Sequence, residues 1–209
     1  MDPKNLTLVV ARYNEDLEWL KTLPWRYVVF NKGDDLAEWV ENEIKLPNIG
    51  REAHSYLIYI TSNYDNLSKY TIFVQGNPFT HSKEIIKKIT NFDGRNDFYD
   101  LADNIVMSGR YGNQTHFESK TAESAKKIFL ERITDFRFGK GAQFILSKRI
   151  ILSHPKIVYE KIIDLMIEGQ MYNRDCSRKN CKCSNPFSAW MLERLWRTLF
   201  NNKHRTIYD

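Results

Sequence analysis

Tyr70-Thr71-Ile72-Phe73-Val74-Gln75-Gly76-Asn77-Pro78-Phe79-Thr80-His81 is the stretch on which the reading of the chain turns. Tyr70 to Val74 mixes β-branched and aromatic residues without polar alternation, the composition of a central strand covered on both faces. Gly76 closes the run between two amides, and Pro78, which has no N–H to give a sheet, stops it. The glycine leaves room for a ligand to approach the backbone, while Gln75, Asn77 and His81 set donors and acceptors beside it. In an open α/β sheet ligands bind beyond the carboxyl ends of the strands, and this segment has the form of such an end. The same residues also make an ordinary polar turn after Asn77, so the flanking sequence has to decide.

Upstream, Leu6 to Ala11 is a short apolar strand, followed by the polar loop Arg12-Tyr13-Asn14-Glu15-Asp16 and a helical pattern at Leu17, Trp19, Leu20 and Leu23. Trp25 to Phe30 is a second strand; it ends in Asn31-Lys32-Gly33-Asp34-Asp35, and a further helical pattern follows at Leu36, Trp39, Val40 and Ile44. This alternation predicts an α/β domain with a mostly parallel central sheet flanked by helices, and it puts polar loops at the strand C-termini. Asn48-Ile49-Gly50-Arg51-Glu52 then opens a helix through Ala53, Tyr56, Leu57 and Ile60. Its free N–H groups and the Arg51 fork suit a phosphate, and an arginine at that end opposes the helix dipole, so it calls for some such reason.

Downstream, helical patches are expected at Lys83 to Ile89 and Ala122 to Ile133. Strand character returns around the Gly139-Lys140-Gly141 turn, and two further helices run from Pro155 through Met166 and from Phe187 to Phe200. No linker or low-complexity tract divides the 209 residues, which fits a single domain. The formal charge of +5 is spread along the chain and would serve phosphates on a small ligand as well as nucleic acid. The apolar runs are strand-sized, so no membrane span is expected, and the start Met1-Asp2-Pro3-Lys4-Asn5 lacks the layout of a secretory signal, which makes the cytoplasm the default location. Cys176, Cys181 and Cys183 have a spacing unusual for structural zinc and read as reduced thiols in a basic loop.

The strand ends gather Arg12, Asn14, Asn31, Lys32, Asp34, Arg51, Gln75, Asn77 and His81 on one edge, cationic and rich in donors. Neither a phosphate-loop motif nor Gly-x-Gly-x-x-Gly after the first strand is present, and Gly-x-Ser-x-Gly is absent, which removes kinase-like, nicotinamide-binding and serine-hydrolase readings.

These residues also carry a resemblance. Val9-Val10-Ala11-Arg12-Tyr13-Asn14-Glu15 resembles the opening strand and loop of GT-A glycosyltransferases, and Val28 to Gly33 resembles their second strand, whose polar end faces the base. Asn48 to Ala53 resembles the helix start before their metal-binding strand, and Phe73 to Asn77 falls where that family places Asp-x-Asp. Gly141-Ala142-Gln143-Phe144 resembles the acceptor-side strand, and Met191 to Trp196 the helix that presents a catalytic carboxylate. The set is similar to a fungal family of uncharacterised proteins and to the N-terminal domain of a chlorella-virus glycosyltransferase that builds capsid glycans. The resemblance implies a UDP-sugar donor bound by Ala11, Arg12, Tyr13, Asn31, Lys32, Gly33, Arg51, Gln75, Gly76 and Asn77. It implies a glycan acceptor near Gly141, Ala142 and Gln143, and Glu193 as base, with Asp103 or Asp135 behind it. If the protein is viral, the location becomes the host cytoplasm.

One departure bears on the metal. Gln75 and Asn77 replace the two aspartates, so the charge pair that holds Mn²⁺ or Mg²⁺ against a diphosphate is missing. Asn77 and His81, with His204 returning from the C-terminal tail, would complete a weak shell around an ion held mainly by the nucleotide. Alternatively Arg12, Lys32 and Arg51 would neutralise the diphosphate directly. For Glu193 the structural alternative is pairing with Arg197 one turn on. A non-catalytic nucleotide-sugar or glycan-binding domain is the first functional alternative, and a basic nucleic-acid-binding module the second. The sequence does not choose between inversion and retention.

Overall fold

Tyr70–Gln75 forms the strand its composition calls for, with every residue through Val74 buried. The computed structural model describes residues 2–108, 118–133, 135–167, 188–201 and 204–208. Cys176, Cys181 and Cys183 lie outside those residues. In chain order the elements are β1 (Leu6–Arg12), β2 (Arg26–Asn31), β3 (Glu43–Lys45), α1 (Arg51–Ser62), β4 (Tyr70–Gln75), α2 (Ile85–Thr90), β5 (Phe98–Asp100) and β6 (Ile105–Ser108). They continue with α3 (Glu118–Ala125), β7 (Phe136–Gly139), β8 (Phe144–Ser147), α4 (Lys148–Ile151), α5 (Lys156–Ile167) and α6 (Ser188–Leu199).

The fold is mixed α/β, built on a six-stranded sheet in the order β3-β2-β1-β4-β8-β5. β3, β2, β1 and β4 run parallel, β8 is antiparallel to β4, and β5 is antiparallel to β8. β6 and β7 form a separate antiparallel pair. The turn after Gly139 therefore closes no hairpin, since β7 and β8, on either side of it, belong to different sheets.

Side chains alternate across the pleat, and each face of the sheet builds its own core. On one face Val9, Phe30, Phe73, Phe144 and Leu146 meet Tyr56, Leu57 and Ile60 of α1, Ile162 and Met166 of α5, and Leu192, Trp196 and Leu199 of α6. On the other, Leu8, Val10, Val29, Ile72, Val74 and Ile145 meet Leu17, Leu20, Ile85, Ile89 and Phe92. α1 is helical because Ala53, Tyr56, Leu57 and Ile60 recur at helical spacing and are all buried. Phe73 sits at the centre of the first core, its ring centroid 4.9 Å from Tyr56, 5.4 Å from Phe144 and 6.0 Å from Tyr59.

Two expected helices take other forms. Leu36 to Ile44 is not helical: Asn42 gives its carbonyl to Val29 N–H at 2.8 Å, and the next residues pair with the edge of β2 as β3. Ile44, which a helix would have buried, is 41 % exposed on that edge strand. The apolar spacing is real, but the free backbone of β2 competes for the segment and wins it. Leu17 to Leu23 shortens to a 3₁₀ turn over Glu18–Thr22, long enough to press Leu17 and Leu20 into the second core.

Phe73→Ala should lower the free energy of unfolding by about 3–5 kcal/mol, as for large buried aromatics elsewhere. Urea melting of the variant beside the parent protein reads this as a lower midpoint.

Candidate functional site

The strand order fixes where a ligand site is to be sought. β2 lies on one side of β1 and β4 on the other, so the chain leaves the tips of β1 and β4 in opposite directions, the place where open α/β sheets take their ligands. Ala11 stands in register with Gln75, and Gly76 N–H donates to the Ala11 carbonyl at 2.8 Å. The space that Gly76 leaves is taken by a side chain of the protein itself: a Cβ there would come within 2.7 Å of Glu15 Oε2. Trp19 Nε1 donates to the Gly76 carbonyl at 2.9 Å, and Glu15 Oε2 accepts from Tyr13 N–H at 2.7 Å. Tyr13 itself is about half exposed.

On the face of the second core, the cationic edge is largely satisfied within the protein. Arg12 Nη1 donates to Asn31 Oδ1 and to the Asp34 carbonyl, each at 2.8 Å, and its Nε to the Glu15 carbonyl at 2.9 Å. Asn31 is 1 % exposed; its amide donates to the Asp34 carbonyl at 2.8 Å and to Glu43 Oε1 at 2.7 Å, while its oxygen also takes Gly33 N–H. Gly33 passes so close to the 13–14 backbone that a Cβ would fall 1.7 Å from the Tyr13 carbonyl oxygen. Asn31 thus ties β1, β2, β3 and the loop after β2 into one unit.

The opposite face carries a cluster that is only partly visible in the sequence. Lys32 Nζ donates to the Ile49 carbonyl at 2.6 Å and to the Arg51 carbonyl, and burial lowers its amine to about 7, with Glu52 pulling the other way. Gly50 and Arg51 both take positive φ, 61° and 49°, at the start of α1. The Arg51 guanidinium lies 5.5 Å from the centre of the Trp190 ring, and its Nε is 3.6 Å from Glu52 Oε2. Glu52 itself is nearly enclosed. Burial raises its carboxyl above the ordinary range, with Arg51 opposing and the charge of Glu193 adding to the rise.

Glu193 reaches this edge from α6. Its Oε1 accepts the Gly141 N–H at 2.7 Å, whereas Arg197, its partner in the structural alternative, donates to Asp100. Tyr56 lies one turn beyond Glu52 on α1; it is fully buried, and among the described residues its hydroxyl has no hydrogen-bond partner. Burial, reinforced by Glu52 and Glu193, holds that phenol protonated.

Gln143 joins the two halves. Its Oε1 accepts the Gln75 N–H at 3.4 Å and its Nε2 donates to the Pro78 carbonyl at 3.0 Å, which fixes the 141–143 turn at the tip of β4. Gly141 and Ala142 have φ of 87° and 49°, and a Cβ on Gly141 would lie 2.4 Å from the His81 ring, so His81 packs flat on that glycine. Asn77 is exposed beside it.

The remaining expected residues lie elsewhere or are engaged. Asp103 pairs with Lys88 at 2.6 Å and accepts Lys83 N–H at 2.9 Å, while its own N–H donates to the His81 carbonyl, so it sits at the rim. Asp135 is exposed just before β7. His204 bonds Glu131 and stands edge-on to Phe129, where the tail bridges Phe129 at Thr206. No contact joins it to Asn77 or His81 among the described residues. Among these same residues no group of three or more His, Cys, Asp or Glu side chains is arranged to hold a metal ion.

Glu52 and Tyr56 are the site residues that pattern reading missed. Tyr56 sits at a core position of an amphipathic helix, and a phenol without a partner leaves no mark in sequence. Glu52 had a signal, a carboxylate beside an arginine that the helix dipole disfavours.

A mixed α/β protein with polar groups gathered at the β1 and β4 tips is thus defined. Residues 8–116 match the model of a family described as "Protein of unknown function (DUF3431)", and as the match takes in more than half of the chain, the chain belongs to that family. The matched stretch carries Lys32, Glu52, Tyr56 and Gln75, and ends before Glu193. No curated protein and no solved structure matches the chain.

Asn31→Ala should cost about 1–3 kcal/mol, because Arg12, Gly33 and Glu43 lose a buried partner together. Denaturant titration measures the loss, and hydrogen exchange should rise first in β3.

Proposed function

We propose that the protein is a glycosyltransferase that moves a sugar from a nucleotide-sugar, with UDP as the nucleotide, to a hydroxyl of a glycan acceptor. The observation that carries this reading is the convergence of the Glu193 carboxylate, through its 2.7 Å bond from Gly141 N–H, on the sheet edge where β1 and β4 end. A nucleotide would lie across the tips of β1 and β2 beside the exposed Tyr13, on the wall that buried Asn31 and close-packed Gly33 hold in place. Its diphosphate would reach Arg51, which is exposed and free of a contact-distance hydrogen bond to Glu52. Arg12 and Lys32 act by charge from behind, since their donors are already given to backbone and Asn31.

The chemistry is a displacement at the anomeric carbon. The acceptor oxygen forms the new bond as Glu193 takes its proton, and the bond to the diphosphate oxygen breaks with its electron pair leaving on the phosphate. Positive charge at that phosphate stabilises the leaving group. Asn77 and His81 offer neutral donors only, and His204 is held by Glu131 elsewhere, so this donor set fits a divalent ion bound chiefly by the nucleotide's phosphates. Such an ion would add charge stabilisation at the leaving diphosphate. Transfer in the host cytoplasm onto a viral capsid glycan belongs to the same reading, by resemblance alone.

A thermal-shift and product assay with UDP-sugars, with and without Mn²⁺, tests it. UDP should raise the melting temperature, and Glu193→Gln should keep that rise while losing about 10²–10⁴ in transfer rate. UDP binding without transfer from any sugar would make the protein a nucleotide-sugar-binding domain. Salt-sensitive binding of oligonucleotides with no response to UDP would make it a nucleic-acid module.

A further inference from the structure

The turn from Gly139 to Gln143 has one foot in each sheet. At its start Lys140 N–H donates to the Asn104 carbonyl at 3.0 Å, one step beyond the Ile105–Gly139 pair of β6 and β7. At its end the Gln143 carbonyl accepts Leu101 N–H at 2.9 Å, one step beyond the Asp100–Phe144 pair of β5 and β8. Between those anchors the backbone passes through Gly141 and Ala142 at φ of 87° and 49°. A residue with a Cβ, such as Ala142, keeps a positive φ only where its surroundings hold it there.

The Gln143 side chain supplies much of that constraint. The β4–β8 ladder ends at the Phe73–Phe144 pair, and past it a side chain takes the place of backbone. Gln143 Oε1 accepts the Gln75 N–H at 3.4 Å, and Nε2 donates to the Pro78 carbonyl at 3.0 Å, the firmer of the two bonds. With the residue 1 % exposed, both ends of its amide are committed inside the protein. The His81 ring closes the space beside Gly141, where a Cβ would come within 2.4 Å of it. Gly141 is buried as well, and its N–H meets Glu193 Oε1 at 2.7 Å. Among the described residues Glu193 Oε2 carries no hydrogen bond.

We propose that Gln143 is a positioning residue for Glu193: its amide locks the turn to the tip of β4, the turn presents the Gly141 N–H, and that N–H fixes one carboxylate oxygen while the other is left for the acceptor hydroxyl. A half-buried glutamate on a helix has several rotamers open to it, whereas a base in a displacement has to stand within hydrogen-bond reach of the hydroxyl it deprotonates. Gln143 lies beneath the surface and acts through Gly141. This role rests on Glu193 being the base of glycosyl transfer, but the clamp itself is measurable without a substrate.

Amide NMR of the intact protein reads the clamp, and transfer kinetics with UDP-sugars read its use. The Gly141 amide proton, bonded to a carboxylate, should lie downfield in the parent protein and move upfield in Glu193→Gln. Gln143→Met keeps the length of the side chain and removes both polar atoms; it should move the Gly141 proton in the same direction while the amides of β1 and β2 stay in place. If Gln143→Met does not fold, Gln143→Asn, one methylene shorter with both polar atoms kept, should shift that proton the same way. In transfer, Gln143→Met should lower kcat by up to about 10²-fold and leave KM for the donor unchanged, since what is lost is the placement of the base. In the Glu193→Gln background the same substitution should cost nothing further, because the two residues act as one unit. A Gly141 proton unmoved in the Gln143 variants, or losses of kcat that multiply in the double variant, would overturn the proposal. Movement of that proton in both single variants of a protein that transfers no sugar supports the clamp and refutes the glycosyltransferase reading alone. Transfer at the parental rate by folded Gln143→Met refutes the positioning role alone.

Discussion

The tips of β1 and β4 are held together by the bond from Gly76 N–H to the Ala11 carbonyl, and much of the site follows from how closely they are packed. A side chain at residue 76 would have to displace the Glu15 carboxylate, which fills its place, while Trp19 caps the carbonyl behind it. With that corner fixed, the loop after β1 folds over the second core. On the other face Lys32 ties the end of β2 to the start of α1. Gln143 extends the same constraint, clamping the turn before β8 to Gln75 and Pro78 and so setting Gly141 where Glu193 can reach it.

The two faces of the strand tips differ in electrostatic kind. Around Arg12 and Asn31 the charges and amides close on one another, which makes a rigid, satisfied wall. Around Glu52 and Tyr56 the groups are enclosed and imperfectly matched, and the half-buried Glu193 reaches the same sheet edge on the Gly141 N–H. Groups in that condition are costly to fold around, and such costs are borne at places where chemistry or binding uses them. Positive φ at Arg51 and Ala142, on the two backbone segments that frame the cluster, marks the same region from the backbone side.

The sheet was legible because its central strands announce themselves. The unbroken apolar run of β4, the run of β1 and the polar stops after each need no tertiary information, and the helical spacing of α1, α5 and α6 is equally local. What the sequence could not show is competition for backbone partners. Leu36 to Ile44 has helical spacing, yet the open edge of β2 draws Glu43–Lys45 into the sheet, and the antiparallel insertion of β8 depends on a turn whose partners lie far off in the chain. The site divided in the same way: polar strand ends could be named from position, and Glu193 only through the resemblance of its helix. The exchange of the Arg197 partner for Gly141 N–H, and the enclosure of Glu52 and Tyr56, arise only when α1 and α6 meet.

The central proposal is that a nucleotide binds at the β1 and β4 tips. Backbone amide chemical-shift mapping of the protein with added UDP addresses it most directly. The account predicts that perturbations concentrate at Ala11, Tyr13, Lys32, Arg51, Gln75 and Gly76, and leave the β6–β7 pair and the tail around Thr206 unchanged. Perturbations confined to those distant elements, or none at saturating UDP, would contradict it.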